Sequence, residues 1–221
     1  IQSGEGLFNS NAALPFVVEN KHIGKNGREY SFNLPTQWDY HLGLVLGWLT
    51  GDGWFNKKYN QAGFVFSKED KLAMDIIKPI LEKYFNGVTV MNQANGCIQL
   101  RSNSRYVSDY LNQLGLKSFP EEKEVPSALF TATKEAILGF LSGLFSSDGT
   151  VALGSKSRNY IRLNSSSVKL LKQVQLLLLN LGIRTSIYDR STKSKCFKYT
   201  SSKGEEKIYK TSGINYELNI S

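Results

Sequence analysis

Two aspartates, Asp52 and Asp148, end two apolar runs of the same design. The first run is Leu42-Gly-Leu-Val-Leu-Gly-Trp-Leu-Thr-Gly-Asp-Gly53, with small residues at Gly43, Gly47 and Gly51. The second is Gly139-Phe-Leu-Ser-Gly-Leu-Phe-Ser-Ser-Asp-Gly149, with small residues at Gly139, Gly143 and Ser147. Gly43 and Gly139, Gly47 and Gly143, Gly51 and Ser147, and Asp52 and Asp148 are each separated by 96 positions (148 − 52). One offset shared by spacing and chemistry marks an internal duplication. A carboxylate at a helix carboxyl end faces the negative end of the macrodipole and outward carbonyls, so it calls for a cation. Two such carboxylates at one seam repel, and a divalent cation between them relieves the repulsion.

The elements that carry them follow from the spacing. Residues four apart form one stripe on a helix. Each interior glycine costs about 1 kcal/mol of helix stability relative to alanine, so three in register point to close approach of a second backbone. The pattern predicts helices over about 37–50 and 134–146, packed stripe against stripe. After the first come strands at 54–58 and 61–68, a helix at 71–85 with Pro79 inside it, strands at 88–91 and 97–101 around the Asn95-Gly96 hairpin signal, and a helix at 105–116. The second series has strands at 149–154 and 160–165, a helix at 168–181, and strands at 183–190 and 214–220. A Lys-rich stretch at 191–212 is expected to form an extended hairpin. The reading divides the chain into an arm (1–36), a first repeat (37–126) and a second (127–221) that lacks the last helix of the first. Within the arm, residues 20–27 read as a loop and 28–33 as a short strand.

Val45–Gly53 and Leu141–Gly149 resemble the two copies of the motif that names the LAGLIDADG homing endonucleases. Lys123-Glu-Val-Pro126 is similar to a Lys-x-hydrophobic-Pro block of intein-borne members, and Gly6-Leu-Phe-Asn-Ser is in keeping with an intein origin. The resemblance implies an α+β fold: two pseudo-symmetric αββαββ(α) repeats whose antiparallel sheets form a DNA-binding saddle. It implies a monomer with an internal pseudo-two-fold axis and no obligate protein partner. The implied activity is site-specific cleavage of double-stranded DNA at a long recognition site, in the homing of an intein or intron. Asp52, Asp148 and Lys123 would be catalytic. Asp52, Asp148 and the carbonyls of Gly51 and Ser147 would hold Mg²⁺, with Mn²⁺ or Ca²⁺ able to replace it in binding. The alternative is a non-cleaving DNA- or RNA-binding protein of the same fold, a splicing cofactor or regulator.

Strand alternation selects the residues that would face DNA. With Ile98 and Leu100 inward, Gln99 and Arg101 point out. With Ile161 and Leu163 inward, Arg162 and Asn164 point out. Ile187 inward leaves Ser186, Tyr188 and Arg190 outward, with Arg184 in the same phase. Arg, Gln and Asn suit bidentate contacts to base edges. Gln61, Lys68 and Arg158 complete the set, and loop lysines such as Lys57, Lys58, Lys156, Lys193 and Lys195 suit phosphate.

Composition agrees. Twenty-seven Lys and Arg against 19 Asp and Glu give a formal charge of +8 and favour a polyanionic partner. No apolar run reaches the roughly 18–20 residues a membrane span needs. Cys97 and Cys196 have no metal spacing and read as reduced thiols of an intracellular protein, in the cytoplasm or an organelle with access to DNA. His41 reads as a packing or capping residue. No HExxH, phosphate loop or Cys cluster is present, and Ile1 is no splicing nucleophile.

Overall fold

In this computed structural model the described residues are 6–117, 122–153, 159–193, 196–200, 206–210 and 213–220. The fold is α+β. A small hairpin, β1 (Lys21–Ile23) and β2 (Glu29–Ser31), leads into α1 (Tyr40–Thr50), β3 (Gly53–Asn56), β4 (Gln61–Phe66), α2 (Lys71–Phe85), β5 (Thr89–Asn92), β6 (Ile98–Ser102) and α3 (Arg105–Gln113). The order then recurs as α4 (Lys134–Asp148), β7 (Gly149–Ala152), β8 (Tyr160–Ser165), α5 (Val168–Asn180), β9 (Ser186–Asp189) and β12 (Tyr216–Ile220). The hairpin β10 (Cys196–Thr200) and β11 (Glu206–Lys210) is inserted between β9 and β12. Two antiparallel sheets result, β3-β4-β6-β5 and β7-β8-β12-β9, with the same topology.

The helices α1 and α4 pack along each other at the middle of the molecule. Nearly all of α1 is buried, from Leu42 to Thr50, which explains its lack of a polar face. The glycine stripe permits this contact. A methyl group on Gly43 would collide with the Ala136 carbonyl, on Gly47 with that of Phe140, on Gly139 with that of Tyr40, and on Gly143 with that of Leu44. Asp39 caps α1 by accepting from the Leu42 amide at 2.7 Å, and Tyr84 donates to its other oxygen at 3.0 Å. His41 does not cap, since Asp39 takes the cap; it is exposed, with its ring edge-on to Tyr40.

Helix α2 covers the first sheet with Ile77, Leu81, Tyr84 and Phe85, and α5 covers the second with Leu170, Leu171, Val174, Leu177 and Leu178. Pro79 sits within α2 without ending it. One contiguous core runs through both repeats. Trp48 stacks on Phe66 with centroids 4.8 Å apart and donates its indole N–H to the Val65 carbonyl at 3.0 Å. The repeats differ at one end of the sheet. In the first, Phe55 (3% exposed) and Ala62 (2%) are buried in the core to which α3 contributes Val107, Tyr110 and Leu111. Their counterparts Val151 (61%) and Ile161 (41%) are uncovered among the described residues, so Ile161 faces the core side without being packed there as expected.

The arm joins both repeats. The Gly6 amide donates to the Asn180 carbonyl at 2.8 Å and Asn9 Nδ2 to the Thr131 carbonyl at 2.7 Å. Farther along, Phe16 meets Tyr110 edge-on and His22 stacks on Tyr106. The stretch expected to be a loop contains β1, because Ile23 pairs with Glu29 across a turn closed by Gly27 at φ 74°.

Candidate active site

Asp148 is the last residue of α4, and Asp52 follows Gly51, which caps α1. Both lie where the α1–α4 seam opens towards the sheets. Ser147 Oγ stands beside Gly51 Cα, and a methyl group on Gly51 would lie 3.3 Å from Asp148 Oδ2. Burial raises the pKa of Asp148, Lys123 lowers it and Asp52 raises it again, for a value of about 6. Asp52 is raised by burial and by Asp70, against the lowering influence of Lys123. The seam therefore brings two acids into one electrostatic neighbourhood, with the Lys123 ammonium acting on both.

Lys123 donates from Nζ to the Gly51 carbonyl at 2.6 Å. Its backbone is pinned from α5. The Ser167 hydroxyl, which caps α5, donates to the Lys123 carbonyl at 2.6 Å. The Val125 amide donates to Gln173 Oε1 at 2.8 Å. Burial would raise the Glu124 carboxyl, but Lys169 and Lys117 outweigh it and hold the group below its usual range.

The donor set is all oxygen: two carboxylates and one carbonyl already turned towards a positive charge. That suits a hard divalent cation. Among the described residues no three His, Cys, Asp or Glu side chains gather round a metal position. A metal here would draw its remaining ligands from water and phosphate, as Mg²⁺ commonly does.

The sequence-derived outward set lies on the sheet faces away from the core. Gln99 and Arg101 share theirs, joined by Arg101 Nη2 donating to Gln99 Oε1 at 2.9 Å. Gln61, at the start of β4, pairs with Asn56 on that face. Lys68 lies past the end of β4, against the turn at Gly96. Arg162, Asn164, Ser186 and Tyr188 share the corresponding face of the second sheet, with Arg190 just past β9 and Arg184 exposed just before it. Arg158, Lys156 and Lys195 lie outside the described residues. Lys57 is held by Asp109 instead of standing free for phosphate.

Two outward residues escape the sequence reading. Trp54 lies flat over Gly63, where a methyl group would collide with the indole. Glu217, 7% exposed, is opposite both Asn164 and Tyr188 and pairs with Arg162 at 3.7 Å and Arg190 at 3.2 Å. The phase of β12 alone signals Glu217, since Leu218 is inward. Nothing local signals Trp54.

A family model for LAGLIDADG-like domains matches residues 135–217. Residues 135–217 form a LAGLIDADG-like domain. The homing endonuclease I-DmoI in complex with DNA and Mn has a similar fold, with a TM-score of 0.51 at 19% identity, over 82% of this chain and 89% of that one. I-DmoI with DNA and Ca also gives 0.51, at 18% identity, over 82% and 83%. At these identities the likeness establishes the fold. The ribonucleoside-diphosphate reductase NrdEB subunit alpha of Bacillus subtilis (strain 168) is 30% identical over 182 residues, 76% of this chain and 17% of that protein. The replicative helicase DnaB of Rhodothermus marinus is 41% identical over 86 residues, 37% of this chain and 9% of that protein. The chain thus spans a small part of the length of these curated relatives. No described helix is long and apolar enough to cross a membrane.

Proposed function

We propose that this LAGLIDADG chain is a site-specific endonuclease that cuts both strands of DNA, one aspartate serving each strand. The observation that carries the reading is the convergence of Asp52, Asp148 and Lys123 at the end of the α1–α4 seam. The +8 charge and the outward Arg, Gln and Asn side chains support a duplex partner. On this reading residues 1–36 are an arm, and 37–126 and 127–221 each bind one half-site.

The chain's own groups have distinct roles. Asp52, Asp148 and the Gly51 carbonyl would hold Mg²⁺, with the Ser147 carbonyl beside them as a further ligand. When bound, the ion activates water and stabilises the leaving oxygen. Lys123 supplies a positive charge that keeps the acids near ionisation and faces the scissile phosphate. Ser167, Gln173 and Lys169 keep that ammonium in place. The similar segments lie within a reductase subunit and a helicase, whose activities are unrelated, and make up 17% and 9% of their lengths. This supports an inserted mobile element, and hence a role in homing.

The test is a plasmid library with randomised inserts, incubated with the protein and Mg²⁺, from which linear products are recovered. Wild type is expected to enrich one long site. Asp52→Asn and Asp148→Asn should still bind that site without linearising it. Binding by wild type without cutting would favour the non-cleaving alternative.

A further inference from the structure

Two residues beyond each catalytic aspartate, one rung of residues crosses each sheet. In the first sheet it reads Trp54, Gly63, Arg101, Thr89 across β3, β4, β6 and β5. In the second it reads Thr150, Arg162, Asn219, Ser186 across β7, β8, β12 and β9. Each rung holds one arginine, on the third strand in the first sheet and on the second strand in the other. Each arginine has a buried Nε without a hydrogen-bond partner among the described residues. With Nε covered inside the rung, the terminal nitrogens are the part of each guanidinium that can meet an acceptor from outside.

The two guanidiniums are fixed by different means. In the first sheet the arginine position of the second is Gly63, and the vacancy admits the Trp54 indole. Arg101 stacks over that indole, 5.0 Å from its centroid, and is tied to Gln99. In the second sheet, Arg162 is tethered by the buried Glu217 carboxylate. With Arg101 Nη2 on Gln99 and Arg162 Nη1 against Glu217, each guanidinium offers its other terminal nitrogen in a fixed direction, as recognition of a guanine O6 or N7 acceptor requires.

Resting on the DNA-binding reading above, we propose that Arg101 and Arg162 each read one guanine nearest the cut, with Trp54 and Glu217 as positioning residues. Because the two arginines stand on different strands of equivalent rungs, the two guanines do not occupy mirror-related positions. The central part of the site is therefore not a palindrome, although the fold is nearly two-fold.

The experiment is binding selection from a randomised duplex library in Ca²⁺, followed by affinity and salt titrations on the winning site. Arg101→Ala and Arg162→Ala should each relax one guanine, at non-mirror positions, by roughly 5-fold or more, the lower end of the discrimination a base-edge contact gives. Trp54→Leu and Gly63→Ala should relax the same base as Arg101→Ala, and Trp54→Tyr should restore it. Glu217→Gln should relax the Arg162 base. The slope of affinity against salt should stay unchanged in all of them. A uniform loss of affinity with a slope lower by about one would make these arginines phosphate contacts and overturn the inference. So would mirror-related guanines, or an unchanged preference in both Trp54→Leu and Gly63→Ala. If wild type enriches no sequence, the DNA-binding reading itself fails. If wild type enriches a site whose guanines ignore these variants, only this inference fails.

Discussion

Lys123 Nζ donates to the Gly51 carbonyl at 2.6 Å across 72 residues of chain, and so places an internal cation beside both acids of the seam, Asp52 and Asp148. Its removal leaves two half-buried carboxylates facing each other without compensation. Lys123→Met should raise the pKa of Asp148 above about 6, a shift readable by carboxyl NMR. A value unchanged from wild type would show that the ammonium does not act on that acid. Cleavage should fall at least tenfold at pH 7, with site affinity changing far less.

Asp148 also sets a pH dependence. Its folded pKa, about 6, lies above the value of 3.8 for a free carboxyl. The native state binds that proton more tightly than the unfolded chain, so stability is lost as pH rises between those values. Divalent metal replaces the proton, and affinity for Mg²⁺ should fall roughly tenfold per pH unit below about 6. Asp148→Asn removes the charge. It should stabilise the metal-free protein by about 1–2 kcal/mol at pH 7, after allowance for solvent screening, and by almost nothing at pH 4. Chemical denaturation at the two pH values measures this; equal effects at both would refute it.

Much of this was legible because it depends on local period. The four-residue stripe predicted the α1–α4 seam, and strand alternation put Arg101, Arg162 and Tyr188 on the faces away from the core, where the register places them. What was not legible depends on tertiary contact. Gly63 gains its meaning only from Trp54 on the neighbouring strand, and Ser167 from Lys123, 44 residues before it. Boundaries slipped where helix ends consume backbone groups. β9 starts at Ser186 instead of Ile183 because the Ile183 amide still donates to the Leu178 carbonyl of α5, at 2.8 Å.

The seam itself is open to test. Gly47→Ala forces a methyl group into the Phe140 carbonyl, backbone against backbone, with no flexible side chain to yield. Overpacking of this kind costs about 1–3 kcal/mol, against a gain of about 1 kcal/mol in helix propensity. A net loss of up to about 2 kcal/mol is expected in urea unfolding, with cleavage falling further than stability because the acids separate. A stabilising effect, with cleavage unchanged, would mean that the helices are not in backbone contact at this position.

Ser167 separates positioning from plain stability. Its hydroxyl caps α5 through the Leu170 amide and also donates to the Lys123 carbonyl. Thr133 caps α4 in the same way, by accepting from the Ala136 amide, and among the described residues makes no hydrogen bond to Lys123. Both Ser167→Ala and Thr133→Ala should therefore lose about 1 kcal/mol of stability through the cap. Only Ser167→Ala should also slow cleavage of bound DNA, by roughly tenfold, because the Lys123 segment then loses one of its anchors to α5. Single-turnover rates at saturating protein isolate this step from binding. Equal rates in the two variants would mean that Val125, Gln173 and the Glu124 ion pairs suffice to hold the ammonium in place.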